Sequence, residues 1–432
     1  MPAGITADSA VRHQLSKRDI RLKLKSESKI DTMIKVNPAL NNRGRLTELD
    51  SLRGVAALSV VLGHCKLLCN ESALSGMTKF LDLGPLRLIT AGREAVILFF
   101  VLSGFVLSIP ALRTQPQPYR VFLVRRISRI YLPYLAALAL AVWGASALHN
   151  FIPGTAWFHS SWSHPINWHL VLQHVLFIGT YDTNQFNDAF WSLVVEMRVS
   201  LIFPVLCALA LKLKPTQSLV FAIFLSLGSI LSLHFVPHLV VLIGDTPHYA
   251  GFFVIGIYLA RQQKQISKFY ASFSRRTKIM IAPFCVFLYI YSGFIYSVVI
   301  FKHTGRFPSL ESDWLTALGA ASIIVFSLNS GLFRGILLSQ PIRFLGRVSY
   351  SMYLIHLTII FALMHLLSGH LPLLAIIPLC LATTIFASAI FYRTVEKPSM
   401  GWGRRLSNYL LPAKTSSVQM PASPDPMASQ SN

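Results

Sequence analysis

The sequence predicts an all-α protein, a polytopic membrane helical bundle of about ten transmembrane helices with one extra re-entrant or interfacial segment. Three observations carry that prediction. Of the 432 residues, 53% are hydrophobic and only 13% are charged, whereas soluble domains carry about a quarter charged residues. The apolar residues fall in runs that approach or exceed the roughly 20 needed to cross a bilayer core, a length suited to helices rather than barrel strands. The 39 basic residues outnumber 17 acidic ones, giving a formal charge of +22, and they cluster in short loops between the apolar runs. Such clustering is how a chain orients in a membrane. The charge therefore points to membrane lipids and anionic small molecules as partners, not to nucleic acid.

Residues 1–45 form a mixed-charge polar tail, expected to be cytoplasmic, without the apolar centre of a secretory signal. Spans are predicted near 50–69, 94–110, 131–149, 189–211, 217–234, 238–260, 277–300, 314–332, 349–367 and 371–392. With the N-terminus in the cytoplasm, the loops containing "LRTQPQPYRVFLVRRISRIY", "LKLKP", "RQQKQISKFYASFSRRTK" and "FRGILLSQPIRFLGR" all fall inside. The stretch 150–188, which has no Lys or Arg, then falls outside. This places the protein in the cell (inner or plasma) membrane as a multi-pass protein with both termini cytoplasmic. The segment "NWHLVLQHVLFIG", residues 167–179, is apolar but short, and a crossing there would turn every later basic loop outward. It is the re-entrant or interfacial element. Residues 401–432 are expected to form a disordered cytoplasmic tail.

Two residue types invite other readings. Cys65, Cys69, Cys207, Cys285 and Cys380 are scattered, mostly in apolar runs, and serve as small apolar residues. His159, His164, His169 and His174 are five apart, a step of about 140° on a helix, so they share no face and no metal site is expected.

The stretch "ELDSLRGVAALSVVLGHCKLL", Glu48 to Leu68, holds the most chemistry. An apolar helix begins after Asp50 and Arg53 and carries His64 deep within it. Eleven residues turn about 1100°, only ~20° past three full turns, so Arg53 and His64 share a face roughly 16 Å apart along the axis. Ionisable groups inside a span are costly and functional by default. A cation at the inner mouth with a titratable base deeper in suits an extended ligand carrying phosphates at one end, as the pantetheine arm of coenzyme A does. Arg53 alone also reads as an orientation anchor.

Other residues extend that pattern. Glu196 lies seven residues into its span, at a depth expected to match His64, where the two could orient each other or hold a hydroxyl between them; pairing with nearby Arg198 is the alternative. Arg125, Arg126 and Arg129 sit at the inner interface and suit either anionic lipid or phosphate oxygens. Ser349, Tyr353 and His356 stand at i, i+4 and i+7, a polar stripe that faces protein or a cavity. With Asp50 and Ser103 they are the expected cavity-lining residues, although Ser103-Gly104 also reads as a close packing pair.

Six blocks in order resemble the integral-membrane acyltransferase type 3 family: "LDSLRGVAALSVVLGH", "AVILFFVLSGFVLS", "FLVRRISRIYLPY", "FWSLVVEMRVSLIFP", "LGRVSYSMYLIH" and "YRTVEKP". Together they cover residues 46–400, the expected acyltransferase domain. One departure stands out. Where the family often has Val-Asp before a Phe-Phe pair, this chain has Val96-Ile97, with Arg93 and Glu94 just upstream, so no role of that Asp carries over.

The resemblance implies transfer of an acyl group, acetyl or another short one, from cytoplasmic acyl-CoA to a hydroxyl of a carbohydrate or other envelope metabolite. In that reading Arg53, Arg125, Arg126 and Arg129 bind the donor, while His64 acts as general base with Glu196 as its orienter. A covalent acyl-histidine is the chemical alternative. A rival of another class is a permease or exporter of an anionic or acylated metabolite, which would use the same buried ionisable groups for proton coupling.

Overall fold

A computed structural model describes residues 46–411 apart from 70–71, 73, 83, 113–116, 149–155, 163, 178–180, 236–243 and 296–307. The polar tail before residue 46 and the end beyond 411 lie outside the described residues. Among those described, helices account for the regular structure, and two residues of a turn, Ser368 and Leu371, form an isolated bridge.

Eleven helices matter for the site: α1 (Thr47–Leu67), α2 (Gly92–Ser108), α3 (Tyr119–Ala147), α4 (Trp168–Leu176), α5 (Phe190–Lys212), α6 (Pro215–Phe235), α7 (Thr246–Arg261), α8 (Arg275–Ile295), α9 (Pro308–Asn329), α10 (Gln340–Leu367) and α11 (Leu373–Tyr409). Each predicted span overlaps one of them. Four, namely α3, α5, α10 and α11, are long and apolar enough to cross a membrane. The number rises to six if two bent pairs count as one span each: Gly84–Thr90 with α2, bent by 62°, and Ser312–Asn329 with Gly331–Leu337, bent by 89°. The protein is thus an all-helical membrane protein. Helix α4 has only nine residues, well short of the ~20 a crossing needs. Asn167 caps it by accepting from the backbone N–H groups of His169 and Leu170.

Local rules explain the helix ends near the site. Helix α1 has Glu48 and Asp50 in its first turn, where the helix dipole favours negative charge. Arg334 neutralises Glu48 at 2.8 Å. Helices α3 and α11 each contain a π-helical turn, Ile127–Tyr131 and Tyr392–Glu396. Such wide turns re-aim side chains and concentrate at functional positions.

Glycines set the closest crossings. A Cβ on Gly54 of α1 would overlap the backbone at Gly346 of α10, and one on Gly346 would overlap Asp50 and Ser51 of α1. Gly104 of α2 and Gly256 of α7 interlock in the same way. In a bilayer, where lipid is as apolar as the side chains, backbone approach at small residues drives helix association. The five cysteines are all buried and free, as small apolar residues would be.

One expected boundary is corrected. Helix α11 continues to Tyr409, so residues 401–409 belong to the folded body rather than to a tail. Gly403 packs on Ser128, and Ser407 accepts a hydrogen bond from Arg125 Nε at 3.1 Å; these contacts with α3 hold the last turns in place.

Candidate active site

Helices α1, α2, α3, α5 and α10 enclose a cleft lined by Arg53, Ser103, Arg126, Arg129, Ser192, Glu196, Ser349, Tyr350 and Tyr353, with Val96, Phe99 and Phe100 among its apolar walls. Seven of the residues expected from sequence meet here. Arg126 is buried; its guanidinium donates to Ser200 Oγ at 2.8 Å and to Glu196 Oε1 at 3.0 Å. Ser103 Oγ donates to the same carboxylate oxygen at 3.0 Å, and Arg53 donates to Ser103 Oγ at 3.4 Å. Arg129 is exposed at the rim. Three guanidiniums therefore line one cleft with Glu196 as its lining carboxylate, which leaves a net positive surface with hydroxyl donors. That chemistry suits phosphate oxygens.

His64 lies elsewhere. Its Nδ1 donates to Val60 O at 2.9 Å and stands 3.2 Å from His356 Nε2. The Trp157 ring covers it at 5.6 Å between centroids, and Trp157 Nε1 donates to Asp188 at 3.4 Å. Tyr353 links the two places. It lines the cleft, its ring lies 5.8 Å from that of His356, and its carbonyl accepts from His356 Nδ1 at 2.8 Å. The stripe Ser349, Tyr353, His356 thus runs from the cleft to His64.

Three expected placements differ. Glu196 bonds neither His64 nor Arg198: its carboxylate is taken by Arg126 and Ser103, and Arg198 donates to Phe177 O at 3.1 Å. The reason is where α5 starts. Ser192 and Ala189 bond the Tyr353 hydroxyl at 2.6 and 3.2 Å, and Asn187 donates to Leu354 O at 3.1 Å. Helix α5 therefore begins already beside the His356 turn, and seven residues on it is ~10 Å further along. Arg125 points away, bonded to Ser407 and Gln117. Asp50 is not among the cleft-lining residues; its carbonyl abuts Gly346.

Sequence reading missed the partnership of His64 with His356. The signal was present. Helices α1 and α10 cross at Gly54 and Gly346, and each histidine follows its glycine by ten residues (64 − 54 and 356 − 346), hence by about 15 Å on each axis. The roles of Ser192, Tyr350 and Asp188 carried no such signal, because loop and mid-helix positions of these types are common.

A separate network ties α2, α6, α7 and α9, with Asp313, His248 and Ser226 buried and Arg93 exposed. Arg93 clamps Asp313 with bonds of 3.1 and 3.0 Å. His248 Nε2 lies 3.5 Å from the same carboxylate, and Ser226 Oγ sits 2.6 Å from His248 Nδ1 and accepts from Trp314 at 3.0 Å. Glu94 pairs with Arg87 at 3.0 Å, so it stands outside the cleft.

Comparison with known proteins agrees with this picture. The chain is 26% identical to the O-acetyltransferase OatA of Staphylococcus aureus (strain NCTC 8325 / PS 47) over 393 residues, 82% of this chain and 57% of that protein. The sequence from strain COL gives the same figures. The O-acetyltransferase PaAT-1 of Phomopsis amygdali is 32% identical over 127 residues, 25% of each chain. The chain thus spans little more than half the length of the first relatives it matches. No solved structure matches it. A family model described as "Acyltransferase domain" covers residues 46–393, taking in the cleft and both histidines, so the chain belongs to that acyltransferase family.

Proposed function

We propose that this acyltransferase moves an acetyl or other short acyl group from cytoplasmic acyl-CoA to a hydroxyl of a carbohydrate or other envelope metabolite. The observation that carries the reading is the cleft of Arg53, Arg126 and Arg129, joined through Tyr353 to the His64–His356 pair. The relatives with matching chains are O-acetyltransferases, which favours acetyl as the group. The positive loops favour a cleft that opens to the cytoplasm, both termini inside, and a place in the plasma membrane.

In this reading the three guanidiniums hold the donor's phosphates, and Glu196 holds Arg126 and Ser103 in position. The donor's arm runs along α1 toward His64. Because a carbonyl only accepts, the bond from His64 Nδ1 to Val60 O leaves the neutral ring's Nε2 with its lone pair. That nitrogen takes the proton of the acceptor hydroxyl as its oxygen attacks the thioester carbon. The carbon–sulfur bond breaks, an ester forms, and the proton leaves on the departing thiol.

The test uses purified protein in nanodiscs with acetyl-CoA and a polyol or glycan acceptor, reading thiol release and ester formation together. His64→Ala is expected to lower turnover by about 10²-fold or more; wild-type turnover in that variant would remove His64 from the chemistry. Arg53→Glu and Arg129→Glu are each expected to raise KM for acetyl-CoA. Unchanged donor affinity in both would reject the cleft as the donor site. NMR of envelope glycans from cells with and without the protein identifies the acceptor by the ester that disappears.

A further inference from the structure

We infer that His356 is the positioning residue for His64, a neutral imidazole that, together with Val60 O, fixes which nitrogen of His64 bears the proton. The inference rests on the proposed role of His64 as base and deepens it.

The argument is one of donors and acceptors. His356 is fully buried, and its Nδ1 lies 2.8 Å from Tyr353 O. A carbonyl can only accept, so that nitrogen carries the hydrogen, and a neutral imidazole has only one. Its Nε2 is therefore a bare lone pair, aimed at His64 Nδ1 from 3.2 Å. His64 Nδ1 carries its own hydrogen for the same reason, with Val60 O at 2.9 Å. One N–H thus faces two acceptors, and both demand the same tautomer. In the other tautomer His64 Nδ1 would present a lone pair to a carbonyl oxygen and to a second lone pair at once, and Nε2 would be blocked by its own hydrogen.

The same contact matters during the reaction. When Nε2 takes a proton from the acceptor hydroxyl, the ring becomes a cation and its Nδ1–H bond to His356 becomes charge-assisted, roughly twice as strong as a neutral one. His356 thus does for His64 what a carboxylate does in a hydrolase triad, without placing a second charge in the bilayer.

His356 itself is held rigidly. The hydroxyl of Tyr353 is fixed by Ser192 and Ala189, and Leu354 O by Asn187. The start of α5 therefore pins the turn of α10 from which His356 projects. Among the described residues, His64 is the side-chain polar partner of His356.

The experiment compares His356→Gln, which keeps an acceptor near the Nε2 position, with His356→Phe, which fills the space and accepts nothing. His356→Phe is expected to lower kcat about 10²-fold, less than the ~10⁴-fold loss known when a triad carboxylate is replaced so that the wrong tautomer forms, with KM for acetyl-CoA unchanged. His356→Gln is expected to stay within about 3-fold of wild type. Histidine ¹⁵N NMR of the protein in nanodiscs reads the cause directly: His64 should show a single Nδ1–H tautomer in wild type and His356→Gln, whereas in His356→Phe, with Val60 O as the one acceptor left on that N–H, part of the Nδ1–H population should give way to the Nε2–H form. A pure Nδ1–H tautomer in His356→Phe would overturn the inference, as would equal loss of kcat in the Gln and Phe variants. His64→Ala in the same assay separates the two readings. If it is inactive while His356→Phe is unimpaired, only the positioning role fails; if it is fully active, the base itself was misassigned.

Discussion

Removing either member of the Arg126–Glu196 pair should damage this protein more than removing both. The pair meets at 3.0 Å with side chains only 9% and 18% exposed, and Glu196 Oε1 also accepts from Ser103. Breaking a buried ion pair costs about 3–5 kcal/mol, because one charge is left unpaired, whereas apolar residues of similar volume at both positions are often neutral. Residual exposure and the two bonds from Arg126 to Ser200 place this pair at the lower end of that range. Glu196→Leu and Arg126→Met are thus each expected to cost about 3 kcal/mol, and the double variant only about 1 kcal/mol. The coupling energy would then be about 5 kcal/mol, far above the few tenths seen between independent sites. The assay is equilibrium unfolding by sodium dodecyl sulfate titration in mixed micelles, followed by intrinsic fluorescence. If the double variant loses the sum of the two single losses, the pair is not acting as an isolated buried couple and the reasoning fails. The double variant should still bind acetyl-CoA poorly, since it lacks a cleft guanidinium.

Three further outcomes follow from other contacts. Gly54→Val, whose new side chain meets the Gly346 backbone, should cost about 3 kcal/mol or more and lower the yield of monodisperse protein in size exclusion. Gly335→Ala, with nothing within 4 Å, is the control and should be neutral. Asp313→Ala removes the clamp on Arg93 and the anion beside His248; because Arg93 is half exposed and regains solvent, only about 1 kcal/mol of stability should be lost in the same micelle titration, with KM for acetyl-CoA unchanged. Tyr353→Phe loses the hydroxyl held by Ser192 and Ala189, worth about 1–2 kcal/mol; loss of more than twice that would show that the hydroxyl also orders the start of α5.

The sequence alone determined much of this protein. Apolar runs located the helices, because a bilayer forces every backbone group to bond within its own segment. The 3.6-residue period put Ser349, Tyr353 and His356 on one stripe and Arg53 and His64 on one face, and six motif blocks named the family. What periodicity does not contain is the height of one helix against another. Glu196 was expected beside His64 because its depth was counted from an assumed surface, but α5 begins beside Tyr353 and Leu354 and carries Glu196 down to Arg126. His64 met His356 because α1 and α10 touch backbone to backbone at Gly54 and Gly346, and that contact point fixes which residues ten positions on stand side by side. A helix's pitch is set by its own bonds, and one dimension suffices to read it. The register between helices is set by where small residues allow two backbones to meet, and only the packed structure decides that.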